Sequence, residues 1–177
     1  NTKRSPLCGR NFEYFSEDPY LAGKMSAAFI NGVQSKGIGT SLKHYAVNSQ
    51  ETRRMTVSAV VDERTLREIY LKGFEICVKT AHPFNIMTSY NKINGVWGHY
   101  HYGTCTQILR GEWEYDGCVM TDWWMRASKD PDFPLLRNNA YRVRGQVDVL
   151  MPGAGAGSRK AKYDPTLLES LGKPDGI

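Results

Sequence analysis

The run Ile38-Gly39-Thr40-Ser41-Leu42-Lys43-His44-Tyr45-Ala46-Val47 reads as a short strand whose residues turn polar after Leu42. Helical signals flank it on both sides. Upstream, Asp18-Pro19 opens a helix with apolar Leu21, Met25, Phe29 and Val33 as its buried face, closed by Lys36-Gly37. Asp18 suits the N-cap, Pro19 the first helical position and Gly37 a left-handed exit. Downstream, a helix starts at Asp62. Its Leu66, Ile69, Tyr70, Phe74 and Cys77 fall on one face of a 3.6-residue period, with Arg64, Arg67, Glu68 and Lys72 mostly on the other.

The same alternation continues along the chain. Phe84 to Tyr90 is an apolar run ending in Ser89-Tyr90-Asn91, and Thr104 to Trp113 has a helical pattern. Cys118 to Met120 is strand-like and ends in Thr121-Asp122-Trp123. Pro134 to Arg144 reads as a helix beginning at proline, and Val147 to Met151 as a strand stopped by Pro152-Gly153. About four βα units in succession build parallel strands with outer helices. In each unit the polar residues follow the strand core, at the end where (β/α)8 barrels carry their sites. A whole barrel takes about 250 residues, so the fold class expected is α/β, a partial (β/α)8 TIM-like barrel. The glycine-rich 153–157 stretch reads as a loop without a phosphate-loop signature, and Pro165 to Leu171 as a short helix capped by Asp164.

Composition bounds the function classes. The chain has 177 residues, 41% hydrophobic and 23% charged, which is the composition of a globular domain. No stretch approaches the ~18 consecutive apolar residues of a membrane-spanning helix, so no membrane partner is expected. The net charge of +5 is scattered rather than gathered into a stripe, which argues against nucleic acid. Cys8, Cys77, Cys105 and Cys118 form no C-x-x-C pair, and reduced thiols are expected. The first residue is Asn1 rather than Met, so either a signal was removed or the chain begins inside a longer protein, and the compartment stays undecided.

Asp122, a carboxylate at a strand end flanked by Trp123 and Trp124, suits a nucleophile on an anomeric carbon beside an indole that stacks on a pyranose. A cap on the following helix explains it equally well. Lys43-His44 can hold adjacent sugar hydroxyls, or can be an edge lysine beside a packed histidine. Arg10 and Tyr90 could each bind a hydroxyl or make a structural bond. His99 and His101 form an H-x-H pair able to share a metal on a strand, but no third ligand stands at recognisable spacing.

Several segments together resemble a known family. Gly9-Arg10-Asn11-Phe12-Glu13-Tyr14-Phe15-Ser16-Glu17-Asp18-Pro19, Lys43-His44-Tyr45-Ala46-Val47-Asn48 with Gln50-Glu51-Thr52-Arg53-Arg54, Asp62 to Tyr70, Met87 to Asn91 and Val119 to Trp123 occur in order. They resemble the catalytic domain of glycoside hydrolase family 3, the β-glucosidase family, over roughly residues 5–152. The resemblance implies a retaining enzyme with Asp122 as nucleophile, Arg10, Lys43, His44 and Tyr90 as binders of the first sugar, and Trp123 as a wall of that subsite. It implies no cofactor and no metal, and as substrate a β-linked gluco-oligosaccharide or an aryl or alkyl glucoside cut at its non-reducing end. Residues 1–152 are then part of the N-terminal catalytic barrel domain, and 153–177 a glycine-rich loop and short helix that begin a linker.

Two departures from the family's pattern qualify the expectation. The earlier barrel strands, one of which supplies an aspartate for the sugar's far hydroxyls, do not precede Asn1. The acid/base glutamate that follows the nucleophile, in or near a second domain, is also missing, and Glu13, Glu17 and Glu51 do not match it. Weak or no turnover is therefore expected of the chain alone, with self-association through exposed barrel edges. A noncatalytic carbohydrate-binding remnant is the alternative from a different class, and a metal-dependent enzyme built on His99 and His101 is a third.

Overall fold

The structure is a computed structural model and describes residues 1–124, 129–130, 133–137, 139–151 and 166–173. In chain order its strands are β1 (Ser41–Tyr45), β2 (Ser58–Ala59), β3 (Asn85–Thr88), β4 (Lys92–Ile93), β5 (Val96–Trp97), β6 (Cys118–Trp123), β7 (Lys129–Asp130), β8 (Phe133–Arg137) and β9 (Val149–Met151). The helices are α1 (Pro19–Gln34), α2 (Glu63–Thr65), α3 (Lys72–Ala81), α4 (Asn139–Arg144) and α5 (Thr166–Ser170). A π-helical turn, Leu66–Tyr70, joins α2 to α3, and a π-helix spans Gly103–Glu112.

The main sheet has the order β1-β3-β6-β9, parallel throughout, with Leu42 opposite Ile86 and Ile86 opposite Val119. Successive strands are neighbours and the intervening chain packs as helices, the arrangement of a partial (β/α)8 barrel. Tyr45, Ile86 and Val119 are fully buried in one cluster with Leu71, Phe74 and Leu109 from the helical layer. The strand residues packed against the helices are apolar and buried, whereas Lys43 in β1 and Met120 in β6 are half-buried and Val149 in β9 is exposed.

The Asp18 cap forms as expected: its carboxylate accepts from the amides of Tyr20 (2.7 Å) and Leu21 (3.0 Å). The buried face of α1 differs from the expectation. Leu21, Met25 and Phe29 are 51%, 49% and 62% exposed, whereas Ala22, Gly23, Ala27 and Ile30 are buried. The physical reason is close approach. A Cβ on Gly23 would stand 2.9 Å from Ile76 Cδ1, so the small residues set the contact with α3 and turn the larger ones aside. Replacing Asp18 by Ala removes two satisfied amides and is expected to cost about 1 kcal/mol, read as a lower urea midpoint at unchanged slope.

Pro134 does not begin a helix. Residues 133–137 form β8, antiparallel to β7, and the helix starts only at Asn139. Proline biases the residue before it toward extended backbone and is tolerated in a strand with a free edge. Beyond β3 a small second sheet forms, β2 parallel to β4 and β4 antiparallel to β5. Its hairpin turns at Asn94-Gly95, both with positive φ (49° and 92°), as a two-residue turn requires. The glycine-rich stretch 153–157 and the Asp164 cap lie outside the described residues, and α5 falls within the expected 165–171.

Candidate active site

Because the four strands of the main sheet run parallel, their C-terminal ends share one edge. Lys43 and His44 lie near the end of β1, Tyr90 two residues after β3, and Asp122 and Trp123 close β6. Arg10 comes to this edge from the loop before the short 3-10 turn Asn11–Glu13. Cis peptide bonds join Lys43 to His44 and Tyr45 to Ala46, where the ladder to β3 shifts register.

Asp122 is 7% exposed and stands inside a strand rather than at a helix start. The helix-cap reading is thereby set aside among the described residues. Its Oδ2 lies 3.5 Å from His44 Nε2, and its Oδ1 accepts from the Trp123 amide at 2.7 Å. The Tyr90 hydroxyl donates to the Trp123 carbonyl at 2.7 Å, a structural bond that also keeps the phenol beside the carboxylate. Burial first, then the charge and a hydrogen bond of Asp122, push the Tyr90 phenol up to about 12, and the Arg54 guanidinium covers its ring at 4.8 Å.

A second group of charges is organised by Glu13. One carboxylate oxygen accepts from Arg10 Nε, and the other from Lys43 Nζ at 2.8 Å. Burial works to raise the Glu13 pKa, but the hydrogen bonds from Arg10 and Lys43 carry it below the ordinary carboxylate value. It is an anion that aligns two cations. Glu51 is likewise engaged, 3.0 Å from Arg54.

His44 is held neutral. Burial, followed by the nearby Arg10 and Lys43 charges, pushes its pKa down to about 3 from an ordinary 6.5. Between these values the unfolded chain binds a proton that the folded chain refuses, so stability is full above pH 6.5 and falls as the pH drops toward 3. We expect a loss of roughly a kcal/mol per pH unit across this window, measured by urea unfolding, and a shallower slope in His44→Gln.

The histidine pair is arranged otherwise than a metal site on a strand. Gly98–Tyr100 is a 3-10 turn. His99 Nδ1 accepts from Arg142 Nε at 3.0 Å, and His101 Nδ1 from the Thr104 amide at 3.1 Å. Burial, then the Arg142 charge, keep His99 well below its ordinary pKa, and a guanidinium at its ring opposes a metal cation. Among the described residues no three His, Cys, Asp or Glu side chains gather as a ligand set.

The structure thus brings Arg10, Lys43, His44, Tyr90, Asp122 and Trp123 to one strand edge. Glu13, Tyr14 and Arg54 join them without having been singled out as site residues. The signal for Glu13 was its i,i+3 spacing from Arg10; its bond to Lys43 arises from the fold alone.

A fixed carboxylate among cations and aromatic rings is suited to a glycosyl group. The profile of the glycosyl hydrolase family 3 N-terminal domain matches residues 2–155. The chain belongs to glycosyl hydrolase family 3. This family 3 chain is 58% identical over 123 residues to thermostable beta-glucosidase B of Acetivibrio thermocellus, covering 70% of the chain and 16% of that protein. It is 57% identical over 123 residues to an exo-alpha-(1->6)-L-arabinopyranosidase of Bifidobacterium longum, again 70% of the chain and 16% of the relative. The structure of beta-glucosidase 3B from Thermotoga neapolitana in complex with alpha-D-glucose superimposes with a TM-score of 0.78 at 45% identity, covering 86% of the chain and 20% of that structure. The chain therefore spans about a sixth to a fifth of the length of these relatives.

Proposed function

We propose that this chain carries the nucleophile and part of the first sugar subsite of a retaining β-glycosidase acting on terminal non-reducing β-D-glucosyl residues. The observation that carries the reading is the Asp122 carboxylate: buried at a strand end, 3.5 Å from a neutral His44, beside Tyr90 and the Arg10–Glu13–Lys43 group. In this reading an Asp122 oxygen bonds to the anomeric carbon as the glycosidic C–O bond breaks, and the leaving oxygen takes a proton from a second carboxyl group. Water deprotonated by that same group then releases the sugar with retention. Glu13 is an anion bound by two cations, so the acid/base role is assigned to a carboxyl group beyond the described residues. Arg10 and Lys43 would donate to sugar hydroxyls, and Trp123 would supply an apolar face.

The relatives' names favour glucose as the sugar, and one solved relative holds it. A glucosidase and an arabinopyranosidase match this segment almost equally, at 58% and 57%. Most of the shared sequence therefore serves the scaffold and the common pyranoside chemistry, and sugar choice rests on few contacts.

An activated 2-fluoro-β-glucoside tests the proposal, because it brings its own good leaving group and asks only for a nucleophile. Intact mass should show a single stoichiometric adduct, mapped to Asp122. Reversible binding without an adduct, on a folded chain, would favour the carbohydrate-binding alternative.

A further inference from the structure

We infer that Tyr14 fixes His44 as the neutral tautomer with its proton on Nε2, so that an N–H rather than a lone pair faces the Asp122 carboxylate. The hydrogen-bond chain that sets this begins at a carbonyl. Asn1 Nδ2 lies 3.3 Å from the Asn48 carbonyl oxygen, which can only accept, so this atom is the amide nitrogen and not the oxygen. The same NH2 group reaches Tyr14 Oη at 3.3 Å and must donate there as well. Tyr14 Oη, now an acceptor, has one proton to place, and His44 Nδ1 stands 3.1 Å away. Both side chains are buried, and their rings meet edge to face, 6.4 Å between centroids. The hydroxyl therefore donates to Nδ1, and a neutral ring that accepts at Nδ1 carries its hydrogen on Nε2.

The other side of the ring favours the same tautomer, through a contact too long to fix it alone. Nε2 is 3.5 Å from Asp122 Oδ2, and the opposite carboxylate oxygen already accepts from the Trp123 amide. A bare Nε2 would set a lone pair against an anion, whereas Nε2–H makes the approach favourable. The doubly protonated ring is excluded at neutral pH because burial beside Arg10 and Lys43 holds His44 at about 3. Tyr14 is thus a positioning residue that acts on Asp122 through His44. Only the catalytic consequence, a nucleophile kept ionised and aimed, rests on the function proposed above.

The tautomer can be read directly, without turnover. The full chain labelled with 15N-histidine, with His44→Gln to assign the signals, is expected at pH 7 to give a pyridine-like Nδ1 and a pyrrole-like Nε2 for His44. A pyrrole-like Nδ1, or a mixture of both forms in the wild type, overturns the inference. In Tyr14→Phe, which keeps the ring and loses the hydroxyl, the two tautomers should mix; an unchanged pure Nε2–H form would show that Tyr14 is not what fixes it. If Tyr14→Phe fails to fold, 3-fluorotyrosine at position 14 gives a signed readout from a nearly isosteric ring. Its more acidic hydroxyl moves Nδ1 further toward hydrogen-bonded frequencies if Tyr14 donates, and no movement or the opposite sign overturns the inference. A chain that shows the Nε2–H form yet takes no fluoroglucoside adduct keeps this inference and loses the nucleophile assignment, so the two fail separately.

Discussion

Asp122→Asn is expected to leave the chain folded and to abolish covalent labelling by a 2-fluoro-β-glucoside. The substitution is nearly isosteric, and an asparagine Oδ1 still accepts from the Trp123 amide that now sits 2.7 Å from the carboxylate. His44 is neutral, so removing the negative charge breaks no full ion pair, but the asparagine NH2 then faces the His44 Nε2–H, and this buried mismatch should cost about 1–3 kcal/mol. Chemistry is affected far more, because an amide oxygen is a poor nucleophile and cannot leave from the anomeric carbon as a carboxylate does. Losing the nucleophile of a hydrolase whose groups act as a unit can cost on the order of 10⁶-fold. Intact-mass analysis over time should therefore show a stoichiometric adduct with the wild type and none with the variant, under conditions where circular dichroism shows both to be folded. An adduct that persists in Asp122→Asn would place the nucleophile on another carboxylate and overturn the proposal.

How much of this site the sequence disclosed follows from where polar residues can stand. Where the parallel strands meet the helices, apolar residues such as Ile86 and Val119 fill the core, and Lys43-His44, Tyr90 and Asp122 stand toward the strand ends. That regularity made the fold class readable and drew attention to these four residues, whereas Arg10 stands on a loop and was singled out without it. The buried face of α1 was not readable from large side chains, because helices that pack closely do so through small ones, here Ala22, Gly23 and Ala27. Asn94-Gly95 carried a hairpin signal between two short strands, yet strands of two residues give no periodicity to anchor it. Pro134 fits either a helix start or an edge strand, and its pairing partner in β7 lies outside any local pattern. The bond between Glu13 and Lys43 spans thirty residues of sequence and is set by closure of the fold, which spacing cannot show. The same holds for Tyr14 and His44, each of which is unremarkable alone.

Tyr45→Ala should be among the most damaging substitutions, because it removes the core support directly behind the site. Tyr45 is 0% exposed, and its ring packs edge to face on Phe74 (5.1 Å) and Trp113 (6.1 Å). Its hydroxyl donates to the Thr104 carbonyl at 2.8 Å, tying β1 to the π-helix Gly103–Glu112. Truncating a buried aromatic residue costs about 3–5 kcal/mol, and the orphaned carbonyl adds roughly 1 kcal/mol or more. Against a domain stability of about 5–15 kcal/mol, this is enough to leave much of the chain unfolded at moderate temperature. Tyr45→Phe keeps the ring and loses only the hydrogen bond, so it should cost about 1–2 kcal/mol. The comparison separates packing from positioning. His44 precedes Tyr45 in the chain, so if the hydroxyl mattered chiefly for aiming the site, Tyr45→Phe would slow labelling at full folded population. We expect instead that Tyr45→Phe labels at nearly the wild-type rate while Tyr45→Ala loses labelling in step with its near-ultraviolet circular dichroism. A slow but fully folded Tyr45→Phe would shift the role of this residue from core to catalytic support.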